Sequence, residues 1–135
     1  MSRDLFIDMA TVDRLVGAVH SAPANDINTL LELQMQLSVY GYYIAEHLGE
    51  LYELYCAREV ARKIDFGKYM SETTEPIGKA REIFYVDSDR YSKEKQAEVD
   101  YKRIKMVLEQ INSVVQMLSM KISYLKKELE SSKQL

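Results

Sequence analysis

From Tyr101 onward the chain carries apolar residues spaced alternately three and four apart: Tyr101, Ile104, Leu108, Ile111, Val115, Leu118, Ile122, Leu125 and Leu129. A helix built on this pattern presents one unbroken apolar edge for four heptads, and that edge is stable only against another helix. Val107 and Val114 lie beside the seam and widen it, which suits more than one neighbour. The pattern points towards a helical assembly and away from a pocket enzyme.

The rest of the chain reads as helices separated by few breaks. Only five glycines and two prolines occur in 135 residues, so turns are scarce. Residues 4–20 form a first helix, with Leu5, Met9, Val12, Val16 and Val19 along one side, and Ser21-Ala22-Pro23 ends it. Asn25 or Asp26 can cap a second helix running to about Ile64, close to 60 Å long at ~1.5 Å per residue. Its apolar row is Leu30, Leu33, Leu37, Tyr40, Ile44, Leu48, Leu51 and Tyr55. Asp65-Phe66-Gly67 is expected to end that helix, followed by a polar connector to Pro76, a short helix over about 77–87, and the seam helix from 92–97 to about Glu130. Ile83–Val86 is the one stretch that could also be read as a strand.

The expected fold is therefore all-α: residues 1–24 as an N-terminal helix and linker, and residues 25–135 as a long antiparallel helical hairpin with a basic connector. Two helices cannot bury apolar residues that surround much of each circumference. Leu31, Tyr42, Tyr43, Tyr52 and Cys56 need cover from the N-terminal helix or from other protomers. Assembly into a helical oligomer is the expectation, with Gly41, Ala45 and Gly49 as a small-residue stripe permitting close approach, and Ile111, Leu118, Ile122 and Leu125 as the seam across the interface.

Charge is unevenly distributed. Residues 1–57 carry two basic and eight acidic side chains, a net of −6, whereas residues 58–135 carry sixteen basic and thirteen acidic, a net of +3. Such polarity favours head-to-tail contact between copies, or an anion at one end. The single cysteine, Cys56, precludes an internal disulfide and suits a reducing compartment. No signal peptide or membrane-length apolar run is evident, so a cytoplasmic location without membrane partners is expected.

No catalytic constellation emerges. Cys56 and His47 are nine residues apart, two and a half turns of one helix, and point to opposite sides. Glu46, Glu50 and Glu53 share a face but lack the Glu-x-x-His spacing of di-iron bundles, and there is no P-loop, dinucleotide fingerprint or zinc spacing. No enzyme activity, cofactor or metal is expected. The informative cluster is basic and aromatic: Arg58, Arg62, Lys63, Lys68 and Tyr69, then Lys79, Arg81, Phe84 and Tyr85. Cations neutralise phosphates and interleaved rings stack on unpaired bases. The same arginines can instead complement a helix C-terminus and pair with acids such as Glu59.

The segment Ala61-Arg62-Lys63-Ile64-Asp65-Phe66-Gly67-Lys68-Tyr69 resembles the UvsY-type recombination mediators of tailed phages, in which basic residues lead into Leu-Asp-Tyr-Tyr and a glycine turn. Lys79, Asp87-Ser88-Asp89 and Tyr101 resemble the second half of that family's pattern, so that the likeness spans about 28–130 in outline. The resemblance implies a closed ring of helical hairpins that binds single-stranded DNA, displaces the single-strand binding protein and loads a RecA-like recombinase in the host cytoplasm. It implies that Arg58, Arg62, Lys63 and Lys68 hold phosphates and that Tyr69 stacks on a base. The competing expectation is a helical interaction module, adaptor or inhibitor, without nucleic acid.

Overall fold

A computed structural model describes residues 9–133. Within them the chain is all-helical, with no strand: α1 (Met9–Ser21), α2 (Ile27–Glu72), α3 (Ile77–Asp87) and α4 (Asp89–Lys133). Residues 4–8 of the expected first helix, Leu5 among them, lie outside the described residues. Ile83–Val86 is helical, within α3.

The caps explain most boundaries. Asp26 Oδ1 accepts the backbone N–H of Thr29 at 3.2 Å and Oδ2 accepts the Thr29 hydroxyl at 2.6 Å, which caps α2. Those bonds hold the Asp26 carboxyl below its usual range. At the other junction the Ser88 hydroxyl accepts the N–H of Tyr91 at 3.1 Å. Ser88 thereby caps α4, which starts at Asp89 rather than at 92–97. Extended backbone at Ser88 (φ −77°, ψ 113°) separates α3 from α4 with a single residue.

One boundary departs further from expectation. Asp65-Phe66-Gly67 does not end α2, which continues to Glu72. Gly67 keeps helical φ, and its cost of about 1 kcal/mol against alanine is met by tertiary contacts on either side. The Phe66 ring packs on Phe84 and Tyr85, and Asp65 accepts Arg90 at 2.6 Å. The helix stops at the Thr73-Thr74-Glu75-Pro76 segment, where the proline disfavours helical backbone before it and starts α3.

The chain divides into two compact units, Met1–His47 with Lys105–Leu135, and Leu48–Ile104. In the first, α1 contributes Val12, Leu15 and Val19 to a core completed by Leu30, Leu33, Leu37 and Ile44 of α2 and by Val107, Ile111, Leu118 and Ile122 of α4. The helices α2 and α4 run antiparallel here: Gln34 donates to Ser119 Oγ and to the Val115 carbonyl (3.4 Å), while Gly41 faces Ile111. A methyl group added at Gly41 would stand 3.4 Å from Ile111 Cγ2, so this glycine does set a close helix approach. Ala45 and Gly49 are exposed in the chain, and nothing lies within 4 Å of a methyl group placed on Gly49.

The seam is therefore spent largely inside the protomer. Ile111, Leu118 and Ile122, expected between protomers, are covered by the chain itself, and Leu125 is half-buried. The α2 of the same chain supplies the apolar partner that the heptad spacing requires.

In the second unit α2 and α4 are again antiparallel, joined by Tyr55 donating to Glu98 (2.8 Å) and Arg62 donating to Glu94 (2.7 and 3.1 Å). Its core is thinner in aliphatic residues: Leu51, Ala80, Phe84 and Ala97, with Glu94 the buried charged residue.

Candidate nucleic-acid interface

Every residue expected to contact DNA falls in the unit Leu48–Ile104. The apolar sides of α2, α3 and α4 meet there through rings rather than branched aliphatic chains. Phe66 lies 5.2 Å from Phe84, edge to face, and 5.6 Å from Tyr85, stacked. Tyr69 lies 5.6 Å from Phe84, and Tyr85 meets Tyr91 edge to face at 4.7 Å. Such pairs stabilise by about 0.5–1.5 kcal/mol each beyond area burial. Phe84 is buried, and Phe66, Tyr69, Tyr85 and Tyr91 are each half-buried, keeping part of their surface in solvent. A shallow cleft beside the rings is lined by Tyr85, Val86, Ser88, Tyr91, Lys95 and Val99.

The cations of this unit stand in two different states. Arg62 belongs to the interior. Its guanidinium holds Glu94 bidentately, reaches the Tyr85 hydroxyl at 3.4 Å, and stands 6.0 Å from that ring. The Glu94 contact drives the Arg62 pKa further up, against the opposing effect of burial. Arg62 is thus committed to a carboxylate instead of presenting itself to a phosphate. Lys63 pairs with Glu59 at 3.2 Å and Lys79 with Glu75 at 3.6 Å, both as exposed pairs four residues apart, contacts of little strength that a phosphate can displace. Arg58, Lys68 and Arg81 engage no ion pair among the described residues; Arg58 is half-buried, and Lys68 and Arg81 are exposed. Arg81 stands 6.0 Å from the Phe66 ring, a cation–π arrangement.

Of the residues expected from sequence, the structure brings Arg62, Tyr69, Arg81, Phe84 and Tyr85 to the ring cluster. Phe66, Tyr91 and Lys95 join it without having been singled out. Lys95 lies 5.5 Å from the Tyr91 ring. The signal for Tyr91 was present in Ser88, whose capping role fixes where α4 begins and so places Tyr91 one turn in. Glu94 had no local signal, because its partner is 32 positions away.

A second polar group lies further along the same unit. Tyr55 donates to Glu98, which pushes the phenol up to about 12 and holds the Glu98 carboxyl below its usual range. Tyr101 stacks on Tyr55 at 6.3 Å and tilts against Tyr52 at 5.2 Å. A hydrogen bond to Cys56 raises the Tyr52 phenol. Among the described residues no group of three or more His, Cys, Asp or Glu side chains is arranged to hold a metal, and no helix is long and apolar enough to cross a membrane. Comparison of the chain with family models, with curated proteins and with solved structures finds no match.

Proposed function

We propose that this chain is a non-enzymatic, oligomeric single-stranded DNA-binding protein of the recombination-mediator kind, which helps to load a RecA-like recombinase on strands coated by a single-strand binding protein. The observation that carries the reading is the ring cluster Phe66, Tyr69, Tyr85 and Tyr91 bordered by Arg81 and Lys95, with the exposed Lys68 next to Tyr69 in the chain. Half-exposed rings offer stacking surface to any base, and adjacent cations answer the backbone without reading sequence. The likeness of 61–69 to the mediator pattern supports the same assignment. Arg62 is reassigned from phosphate contact to holding the cluster together through Glu94. Phosphate contact rests on Arg58, Lys68 and Arg81, with Lys63 and Lys79 after exchange of their carboxylate partners. Few contacts per subunit suit a mechanism of avidity, in which repeated copies engage one strand.

Fluorescence anisotropy with a long unstructured oligonucleotide tests the reading. Binding is expected at low salt and weakens as salt rises, through counterion release. Combined Lys68→Ala and Arg81→Ala should lower affinity roughly tenfold, about 1.4 kcal/mol. The same pair should flatten the salt slope by about 1.4, for two phosphates lost from a single strand. Absence of binding by the wild-type oligomer overturns the proposal. The second reading, a helical interaction module, is favoured by carboxylates that neutralise several of the cations in this unit and by apolar side chains left uncovered.

A further inference from the structure

The unit Met1–His47 with Lys105–Leu135 leaves two apolar rows outside its core. On α2, Leu31, Met35, Val39, Tyr42 and Tyr43 follow steps of four, four, three and one, and Met35 and Tyr42 are 62% and 63% exposed. They lie roughly half a turn around the helix from Leu30, Leu37 and Ile44, on its outer side. On α4, Met106, Met117, Met120 and Tyr124 form the second row, with Met120 73% and Tyr124 62% exposed. Scattered exposed apolar residues need no explanation, but rows aligned over several turns mark an interaction surface. The α2 row spans about 18 Å at 1.5 Å per residue; on α4, Met117, Met120 and Tyr124 span about 10 Å, with Met106 eleven residues before them, so the two rows overlap over about two turns.

Their borders differ in charge. Between residues 27 and 47 the chain has Glu32 and Glu46 and no lysine or arginine. Lys121 and Lys127 flank the α4 row together with Glu128, which the Tyr124 hydroxyl contacts, and residues 105–133 carry five lysines against three glutamates, a net positive balance. An acidic apolar row and a lysine-flanked apolar row complement one another better than either complements itself.

We infer that the α2 row of one copy docks on the α4 row of the next, a head-to-tail contact between different faces of the same chain. It sharpens the self-association in the proposed function, yet it is read from helix faces remote in sequence from the basic connector and is testable with no DNA present. A fully exposed large side chain offers on the order of 150–250 Å², so the five half-exposed residues of the α2 row bring roughly 500 Å² and the four of the α4 row roughly 400 Å², with flanking polar residues supplying the rest of the ~800 Å² per partner of a standard interface. In a head-to-tail contact each copy keeps one free face after pairing, and assembly proceeds beyond a dimer.

Light scattering on the full chain and two surface variants decides the matter. Met35→Glu with Tyr42→Glu disables the α2 row; Met120→Lys with Tyr124→Lys disables the α4 row. Wild type should exceed dimer mass at tens of micromolar. Each variant alone should be monomeric with unchanged helicity by circular dichroism. An equimolar mixture should give one heterodimer, since each variant retains the face the other lacks. A monomeric wild type, a variant that keeps wild-type mass, or a mixture that stays monomeric overturns the inference; loss of mass in only one variant identifies a like-on-like contact or another partner. A result of this kind leaves the DNA reading standing, and failure of DNA binding with the heterodimer present leaves the assembly standing.

Discussion

The two units use the same pair of long helices and hold them together differently. In the unit formed by Met1–His47 and Lys105–Leu135, contact is aliphatic and close, set by leucine, isoleucine and valine with Gly41 against Ile111. In the unit Leu48–Ile104 it is aromatic and ionic, set by Phe66, Phe84, Tyr85, Tyr91, Tyr101 and the Arg62–Glu94 pair. An aliphatic seam gains stability without direction, at about 25 cal/mol per Å² buried. Rings and a bidentate ion pair fix orientation while keeping polar edges near solvent. The first arrangement is suited to a stem, and the second to a surface that must present defined groups. The difference also says where charge is tolerated: one core excludes it, and the other is organised around it.

The largest expected effect breaks the aliphatic side. Leu118 is fully buried, and Leu118→Asp strands a charge without a partner. A loss of several kcal/mol is expected, enough to unfold a domain of ordinary stability. Thermal melting by circular dichroism checks it, and an unchanged melting temperature would remove Leu118 from the core. The next effect breaks the ionic side. With Glu94 almost wholly buried, Arg62→Met leaves its carboxylate unpaired and should cost about 3–5 kcal/mol, whereas Arg62→Met with Glu94→Leu should recover most of that. Denaturant titrations of the four proteins give the coupling directly, and additive losses would mean that the pair is not a unit.

The asymmetry between these units was only half legible in the sequence. The aliphatic seam was, because a helical stripe is written in local spacing, and Leu30, Leu33, Leu37, Ile44, Ile111, Leu118 and Ile122 are buried as that spacing requires. What spacing could not say was who covers the stripe. Ile111, Leu118 and Ile122 read as an interface between copies and are covered within the chain's own first unit. The ionic unit depended on contacts between distant positions. Arg62 looked like a free cation because Glu94 is 32 residues away, and Asp65-Phe66-Gly67 looked like a helix end because the rings that hold Phe66 belong to α3. Composition placed the basic and aromatic residues together but not the pairing that divides them into interior and surface.

The glycines sharpen the comparison at a smaller scale. Gly49→Ala puts a methyl group into open space within a helix and should stabilise by up to about 1 kcal/mol. Gly41→Leu drives a large side chain against Ile111 and Leu108 and should destabilise by about 1–3 kcal/mol. Opposite shifts of the melting temperature are expected. Shifts of the same sign would mean that the close approach at Gly41 does not hold the first unit together.

The smallest effect concerns the polar edge of the second unit and depends on pH. Tyr55 donates to Glu98 at 2.8 Å, which lowers the carboxyl and pushes the phenol up to about 12. On the acid side the folded Glu98 pKa lies below its unfolded value near 4.5, so its contribution is complete above that value and is lost as pH falls through the folded pKa. On the alkaline side the folded Tyr55 pKa lies above its unfolded value of 10.0, so the contribution is complete below pH 10 and is lost as pH rises through about 12. Both groups lie at the surface, where solvent screens the interaction, and the stability change is correspondingly slight. The titrations are the sharper measurement. Ultraviolet absorbance of tyrosinate should show a phenol ionising near pH 12, and Tyr55→Phe should remove that step. The same substitution should bring the Glu98 carboxyl, followed by NMR, back up towards its ordinary value, because Lys95 and Lys102 remain but the largest lowering contact is gone. If Glu98 titrates identically in Tyr55→Phe, its lowered pKa belongs to the lysines alone and the hydrogen bond does not join α2 to α4 in solution.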